Sequence, residues 1–432
     1  MSSPIPIASA FEPFETPANN TVKGCKWSPD GLCLLTASEE DRQLRLFELP
    51  AHLMAAAAAD GVSTGGKMDT MAAAAAAGAG PSGSELQPAL AVREGESIYD
   101  YAWFPGMDSS NPVTCVFAST SREQPLHLWD AYSGQCRASY VSYNHLDEVT
   151  APHSLAFNPS GARLYCGFDR CVRVFDVSRP GRQCDVRPTC KTKRSRDGLR
   201  GLLSCFAFAP DYPDLYACGS FSGTTGLYDE RDPSHLIVEL EAHGGGVTQL
   251  SFSHDGTMLY SAARRDDQIR CWDIRSTCRV LATFRRAAPT NQKIGFELID
   301  SASSALLTAS QDGSVLLYDT TNPQAEPATL LTFGDATNAA TRHPSLPLLA
   351  VASGERRFDL SRDHDLPRGK KRQQAESGGY GGQSEQGEEA SESDDGETNG
   401  GPRKANGLSI WMMPQHHAAV GSAGGEARDV GQ

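Results

Sequence analysis

Three observations in the 432-residue sequence predict an all-β chain folded as a seven-bladed propeller with two disordered insertions. A short apolar run ending in an aromatic residue, usually followed by an acid, recurs seven times. Most intervals between those aromatics are close to the length of one four-stranded repeat. Upstream of them a second apolar run recurs behind a tight turn, and helical periodicity is almost absent outside one Ala-rich stretch.

The aromatics are Phe47, Trp129, Phe175, Tyr228, Trp272, Tyr318 and Trp411, spaced 82, 46, 53, 44, 46 and 93 residues apart. The two long intervals hold the two compositionally odd segments. Residues 51–90 carry Ala runs at 55–59 and 72–77, and residues 361–406 are rich in Gly, Ser and Glu, with an acidic run from Glu385 to Glu397. Neither has enough large apolar side chains to offset the entropy of ordering, so both are expected to be disordered. Removing about 40 residues from each long interval restores the ~40–45-residue period of WD repeats. The expected organisation is a WD40 propeller over 1–360, with the acidic insertion at 361–406 inside the last blade. The final propeller strand then falls at 407–414, and a disordered tail at 415–432.

Each repeat is justified in turn. The upstream runs are Leu34–Ser38, Leu164–Gly167, Leu215–Cys218, Leu259–Ala262, Leu306–Ser310 and Leu348–Val351. Turn signals precede them at Ser28–Gly31, Asn158–Gly161, His254–Gly256 and Pro344–Pro347. Pro presets φ and Gly accepts φ > 0, so these are hairpin turns. A further strand lies before each turn, as at Leu250–Ser253. The last repeat has no strong strand after Trp411, and residues around Ile5–Ile7 are expected to supply its outer strand and close the ring, removing open edges.

An Asp falls six residues before the aromatic in four repeats, at Asp41, Asp169, Asp266 and Asp312. It is expected in the turn before the third strand, within a buried hydrogen-bond network. In the fifth repeat that network would comprise His243, Ser261, Asp266 and Trp272, a structural rather than catalytic set.

Composition narrows the function. The formal net charge is −14, from 39 Lys+Arg and 53 Asp+Glu, which argues against indiscriminate coating of nucleic acid. No apolar stretch is long enough for a transmembrane helix. The N-terminus lacks the features of a signal peptide. The 12 Cys form no C-x-x-C pair and sit mostly in apolar runs, as expected of buried thiols in an intracellular protein. Gly78–Gly83 matches a G-x-G-x-x-G string, but it lies in low-complexity sequence with no preceding strand and is not a nucleotide site. No Walker A, H-E-x-x-H or G-x-S-x-G motif occurs. A non-enzymatic binding scaffold without cofactor or metal is therefore expected.

A local basic rim is compatible with the acidic total. Strand order places loops that join one blade to the next on the same face as the second-to-third-strand turns. The first group carries Lys191, Lys193, Arg194, Arg285, Arg286 and Lys293. The second carries Arg42, Arg122, Arg170, Arg264, Arg265, Arg356 and Arg357. Tyr143, Asn144 and His145 share that face, and the acids Glu39, Glu40, Asp266 and Asp267, some of them framework, interrupt the set. Arg pairs with phosphate and stacks on splayed bases, so this rim is a candidate RNA site.

Several strings resemble the telomerase Cajal body protein family: Lys23–Gly31, Glu94–Tyr101, Tyr143–Glu148, Arg179–Arg182, Gly245–Gln249, Thr290–Gln292 and His343–Ala350. The resemblance spans about residues 20–358. It implies a nuclear WD-repeat protein that binds CAB-box small Cajal body RNA (scaRNA) and, in lineages where it has that loop, telomerase RNA. It implies association with dyskerin-containing H/ACA ribonucleoprotein particles and the telomerase holoenzyme, localisation to Cajal bodies and a role in telomere maintenance, with no membrane partner and no direct DNA contact. On the same ground His243 and Arg264 or Arg265 match positions important for folding and RNA retention. The sequence departs from the family's usual long acidic N-terminal extension, and the Ala-rich insertion is not a family feature, whereas the acidic insertion is similar. Arg368–Arg372 is a weak candidate nuclear-import patch. The alternative reading is a substrate receptor of a cullin-RING ubiquitin ligase, from the W-D-x-R string Trp272–Arg275 and a weaker copy at Tyr228–Arg231. A generic protein scaffold is the third.

Overall fold

The computed structural model describes residues 4–14, 20–54, 84–190, 198–212, 214–241, 243–275, 279–299, 303–356 and 406–413. The chain divides into Met1–Arg356 with Lys404–Gln432, which holds the propeller, and Arg357–Arg403, which lies outside the described residues. Most of the Ala-rich stretch (55–83), the acidic insertion, the basic 368–372 patch and the tail beyond 413 are also outside them.

Apolar runs of four to six residues separated by turns become seven antiparallel sheets. Blade 1 is Val22–Trp27, Cys33–Ser38, Gln43–Glu48 and Leu90–Arg93. Blade 2 is Ile98–Trp103, Val116–Ser121, Leu126–Asp130 and Cys136–Tyr140. Blade 3 is Ser154–Phe157, Arg163–Phe168, Cys171–Asp176 and Asp185–Pro188. Blade 4 is Leu203–Phe208, Leu215–Ser220, Thr224–Asp229 and Asp232–Glu241. Blade 5 is Val247–Phe252, Met258–Ala263, Gln268–Asp273 and Arg279–Arg285. Blade 6 is Phe296–Ile299, Ala305–Ala309, Ser314–Asp319 and Ala328–Thr332. Blade 7 is Thr337–Arg342, Leu348–Ser353, Gly407–Met412 and, as its outer strand, Ile5–Ala10. The expected seven-bladed propeller is thus the observed fold, closed by the chain start.

Position within a blade explains composition. Second strands are covered on both faces and read as continuous buried runs, as in Val116–Ser121 and Leu348–Ser353. The outer strand of blade 5, Arg279–Arg285, is largely exposed. Among the described residues, buried apolar side chains form a cluster between each pair of consecutive blades. Leu35, Leu44 and Leu46 of blade 1 meet Trp103 and Phe117 of blade 2, for example. Across the closure, Ala8, Ala10, Leu348 and Ala350 of blade 7 meet Val22, Trp27 and Phe47 of blade 1.

The closing strand pairs antiparallel with Gly407–Met412, with an irregularity between Pro6 and Ala8 where proline cannot donate. Its other edge is covered by Ser84–Glu85, which pair in parallel with Ala8 and Ser9, and Leu86 N–H donates to Ser9 O at 2.7 Å. Leu53, in the short helical turn 51–54, and Leu86 are buried in the same cluster. The propeller therefore takes in residues 51–54 and 84–90 at both ends of the Ala-rich stretch.

The seam carries a buried histidine. His343 Nδ1 accepts the Ser345 and Leu346 N–H groups at 3.1 and 2.9 Å. The proton therefore sits on Nε2, which donates to Gly31 O of blade 1 at 2.9 Å. Gly31 has φ +79°, and a Cβ there would lie 2.4 Å from the His343 ring, so the turn requires glycine on both counts.

Ala10 is fully buried in the closing strand. Ala10→Asp is expected to destabilise the protein by about 3–5 kcal/mol, the scale of an uncompensated buried charge. Denaturant unfolding with size-exclusion chromatography would measure it, and a shift below ~1 kcal/mol would mean that closure contributes little.

Candidate nucleic-acid interface

Antiparallel order brings the second-to-third-strand turns and the blade-to-blade crossovers to one face, and backbone hydrogen bonds tie the two together. Arg122 N–H donates to Ser97 O at 3.0 Å, Arg170 N–H to Gly201 O at 2.9 Å, Arg264 N–H to Gly246 O at 2.8 Å and Arg265 N–H to Thr290 O at 3.1 Å. At Gly245 a Cβ would lie 1.8 Å from Arg264 O, so the crossover before blade 5 approaches the turn as closely as glycine alone permits.

Beneath this face lie buried polar networks. In blade 5 His243 Nδ1 meets Asp266 Oδ2 at 2.8 Å and His243 Nε2 meets Ser261 Oγ at 2.8 Å, while Trp272 Nε1–H donates to Ser261 Oγ at 2.9 Å. The four expected residues are joined in one chain of bonds. In blade 1 Asp41 binds Asn20 at 2.9 Å and also engages Ser38 and Arg45. Asp312 accepts Ser314 N–H at 2.9 Å and Oγ–H at 2.6 Å, which makes it a turn brace. Asp169 departs from the set: its side chain is 48% exposed and pairs with Arg170 at 2.5 Å. Blade 2 replaces Asp with the crossover residue Glu94, which binds Ser119, Ser121 and His127, and Trp129 Nε1–H donates to Ser119 Oγ at 2.7 Å. Burial would raise the Glu94 carboxyl, but the bonds from His127 and the two serines outweigh it and hold it below the usual range.

The cations divide by environment. Arg122, Arg265, Arg285 and Lys293 are exposed, as is His145. Arg122 pairs with its neighbour Glu123 at 3.2 Å. Arg170 is half-buried against Asp169. Arg264 is half-buried, with its guanidinium 4.0 Å from the centroid of the Phe221 ring; its Nε is buried without a protein hydrogen-bond partner, and burial pulls its pKa down. Tyr143 is half-buried under Arg182 at 5.3 Å. Arg286 does not belong to the rim. It is 4% exposed and donates to Thr308 Oγ1 at 3.1 Å and Gly295 O at 3.2 Å. Burial lowers its pKa to about 10 against the opposing pull of Asp266 and Asp267. Its crossover folds inward here because Ala287, Ala288 and Ile294 pack towards blades 6 and 7, a long-range effect with no local sequence signal. Lys191, Lys193 and Arg194 lie outside the described residues.

A conformational feature marks the same turns. Arg42 (φ 59°), Glu123 (φ 56°), Arg170 (φ 53°) and Arg265 (φ 51°) adopt the left-handed region in blades 1, 2, 3 and 5. The corresponding turns of blades 4 and 6 use Gly223 (φ 93°) and Gly313 (φ 86°). Left-handed backbone costs a non-glycine residue about 1–2 kcal/mol. Four turns thus hold a charged side chain, three of them arginine, where glycine would cost less. Outliers of this kind cluster at functional sites. Sequence reasoning also did not identify Tyr99 and His153, whose rings stack at 4.8 Å on this face, or Phe221 under Arg264. Tyr99 is the exposed position between buried Ile98 and Tyr101 of its strand, and that departure from burial was the available signal.

The W-D-x-R arginine is occupied within its own strand end: Arg275 contacts Asp273 through Nε at 3.0 Å and Nη2 at 2.9 Å. Arg231 makes the same pair with Asp229, and blade 2 has a related pair, Arg137 with Asp130. It is a recurring framework brace. Eleven described cysteines are free, and burial pushes the Cys205 thiol up to about 12, an inert state. Among the described residues no cluster of three His, Cys, Asp or Glu is placed to hold a metal, and no helix is long and apolar enough to cross a membrane.

Comparison with known proteins agrees with this architecture. The model of the WD domain, G-beta repeat, matches residues 13–48, 134–176 and 234–273. The chain is 43% identical over 357 residues to Telomerase Cajal body protein 1 of Bos taurus, covering 82% of this chain and 61% of that protein. Against the Homo sapiens protein of that name identity is also 43%, covering 82% and 60%. Against the Drosophila melanogaster Telomerase Cajal body protein 1 homolog it is 35%, covering 79% and 58%. The chain thus matches about three-fifths of the length of these curated relatives.

Two opposed titrations give a pH test. Burial lowers the pKa of His243, His153 and His343, so the unfolded chain binds more protons below about 6.5 and stability falls as pH drops through that range. Glu297 is the reverse: burial raises it to about 7, against the bonds from Thr341 and Arg342, so its folded form binds more protons between about 4.5 and 7 and stability rises as pH falls there. Glu297→Gln removes the compensation. Its melting temperature is expected to fall more steeply than wild type between pH 7 and 5.5, and parallel curves would refute the assignment.

Proposed function

By the sequence of its propeller the chain belongs to the telomerase Cajal body protein family, and we propose that it is a non-catalytic RNA-binding scaffold. Its ligands on this reading are CAB-box small Cajal body RNAs and telomerase RNA. Through them and dyskerin-containing particles it directs H/ACA ribonucleoproteins, including telomerase, to Cajal bodies in the nucleus and so supports telomere maintenance. The observation that carries the reading is the exposed Arg265 in a left-handed turn of this face; Arg42 and Arg170, in equivalent turns, are paired with Glu96 at 3.4 Å and Asp169 at 2.5 Å. A cation kept at a conformational cost calls for an anion, and the neighbouring Arg264–Phe221 and Tyr99–His153 pairs offer surfaces on which unpaired bases stack.

The RNA site is the turn-and-crossover face. Exposed Arg265, Arg285 and Lys293 supply phosphate contacts, and half-buried Arg264 supplies a fixed plane. The buried Asp and His networks set the height of these turns and stay out of contact with ligand.

Arg265→Gly separates binding from folding. Relief of left-handed strain, less the entropy glycine adds to the unfolded chain, is expected to stabilise the protein by about 0.5 kcal/mol. RNA affinity is expected to fall, and its dependence on salt to flatten by about 0.7 in log–log slope for each phosphate that Arg265 neutralises in the wild type. In cells, Arg264→Glu with Arg265→Glu, and the more conservative Arg265→Glu with Arg285→Glu, are expected to reduce crosslinking to small Cajal body RNA. If crosslinking is unchanged in both, this face is not the RNA site.

A further inference from the structure

Between blades 2 and 3 the turn-and-crossover face opens into a cleft of about 320 Å³, lined among others by Tyr99, Arg122, Glu123, His153 and Asp169. That volume is at the low end of the ~300–1,000 Å³ range of small-ligand sites, the size for one ring system rather than a chain. Its wall includes an aromatic platform: Tyr99, 37% exposed, lies nearly parallel to His153, with ring centroids 4.8 Å apart and 28° between planes. The charged groups around that platform are two carboxylates and one guanidinium, and the Thr150 hydroxyl also lines the cleft.

The geometry points to this cleft as the pocket for a single unstacked guanine, an inference that rests on the RNA reading of the face and names the base it selects. Base faces stack on aromatic rings whatever the base, so the platform alone gives no selectivity. The polar set does. Guanine alone presents two adjacent Watson–Crick donors, N1–H and the 2-amino group, and a carboxylate is an acceptor-only group that can take both. Its O6 and N7 are acceptors suited to a guanidinium such as Arg122. Uracil turns carbonyl oxygens on both sides of its single donor, and a carboxylate repels them. Adenine and cytosine offer one donor group beside an acceptor.

The cleft keeps these groups apart from the framework. Asp169 meets Arg170 through Oδ2 at 2.5 Å, and Glu123 receives Arg122 Nε on Oε1 at 3.2 Å. Each carboxylate has acceptor capacity beyond one such bond. Burial, with the Arg264 charge, lowers the His153 pKa against the pull of Asp169, so the platform is neutral at pH 7. Glu123 is held in the left-handed region, and Asp169 is the one expected network aspartate whose side chain is about half exposed. Val149 and Thr150, from the hairpin pairing Ser142–Tyr143 with Val149–Thr150, form one wall.

The test uses the full chain and fluorescein-labelled RNA decamers: all-uridine, uridine with one central guanosine, and the same with inosine, which lacks the 2-amino group. Fluorescence anisotropy is expected to show about tenfold tighter binding of the guanosine decamer than of all-uridine, the scale of one bidentate hydrogen-bonded pair. Inosine should lose most of that gain. Asp169→Asn, which keeps shape, should abolish the guanosine preference while leaving all-uridine binding and the melting temperature near wild type; Tyr99→Ala, which removes half of the platform, should abolish the preference and weaken all-uridine binding as well. A preference that survives both variants overturns the cleft, as does wild-type protein that binds all decamers equally. Wild-type protein that binds none of them overturns the RNA reading itself, so the two failures are distinguishable.

Discussion

A ring of hydrogen bonds between inner strands, with a bond at every blade junction, fixes the place of each blade. Lys26 Nζ donates to Tyr101 O at 2.5 Å, joining blade 1 to blade 2, and Leu155 N–H of blade 3 donates to Asp100 Oδ2 at 3.2 Å. Ser154 Oγ–H reaches Leu203 O at 2.9 Å and Ser204 Oγ–H reaches Val247 O at 2.5 Å. Gln249 exchanges two bonds with the Phe296 backbone, Arg342 N–H donates to Glu297 Oε2 at 2.9 Å, and Asn338 Nδ2 returns to Val22 O at 2.8 Å. Six residue types do one task, so the repeats need not be alike. Each bond contributes only about 1 kcal/mol net, but each joins groups that burial would otherwise leave unsatisfied. Since every apolar cluster among the described residues lies between blades, no blade has a core of its own, and closure by Ile5–Ala10 completes all the interfaces together.

That rigid ring lets the turns carry strain. A left-handed arginine in a loose loop would relax into the right-handed region. Arg170 and Arg265 cannot, because their N–H groups are held by Gly201 and Thr290 of the adjoining crossovers. The polar networks act from below in the same way, with His243 and Asp266 fixing the turn that presents Arg264 and Arg265. Position at the face is therefore specified twice, by crossover and by network, and side chains there can be chosen for contact rather than for folding.

The fold and one complete network were legible because both are periodic. Aromatic, acid and turn residues recur at fixed offsets, so Trp272, Asp266, Ser261 and His243 could be placed by counting. The closing strand was legible by elimination, since the last repeat had three strands and the chain start had an apolar run. What counting could not give was radial depth. Arg285 and Arg286 are neighbours, yet one is exposed and the other buried, since alternation along a strand continues into the crossover. The cross-blade ring was equally hidden, because Lys26, Asp100 and Glu297 are ordinary charged residues until the inner strands are brought together. Tyr99 and His153 stack across 54 positions and share no repeat offset.

An acidic total does not make this face uniformly acidic, because several of its acids are tied into the frame, although Glu40 and Asp267 are exposed. Glu39 is paired with Lys23 at 2.5 Å and Arg356 at 3.4 Å, Asp266 with His243 and Arg270, and Asp41 with Arg45. Glu94 is buried among hydroxyls and His127. Acids elsewhere on the propeller are screened over about 8 Å at physiological ionic strength. The field a ligand meets then includes that of the exposed Arg122, Arg265, Arg285 and Lys293, with the exposed carboxylates of Asp169 and Glu123, each bonded on one oxygen to an arginine, at the cleft. A nucleic acid approaching this surface is attracted by its phosphates along the cations and checked by its bases at the cleft, so affinity and selectivity are set by different residues of the same turns.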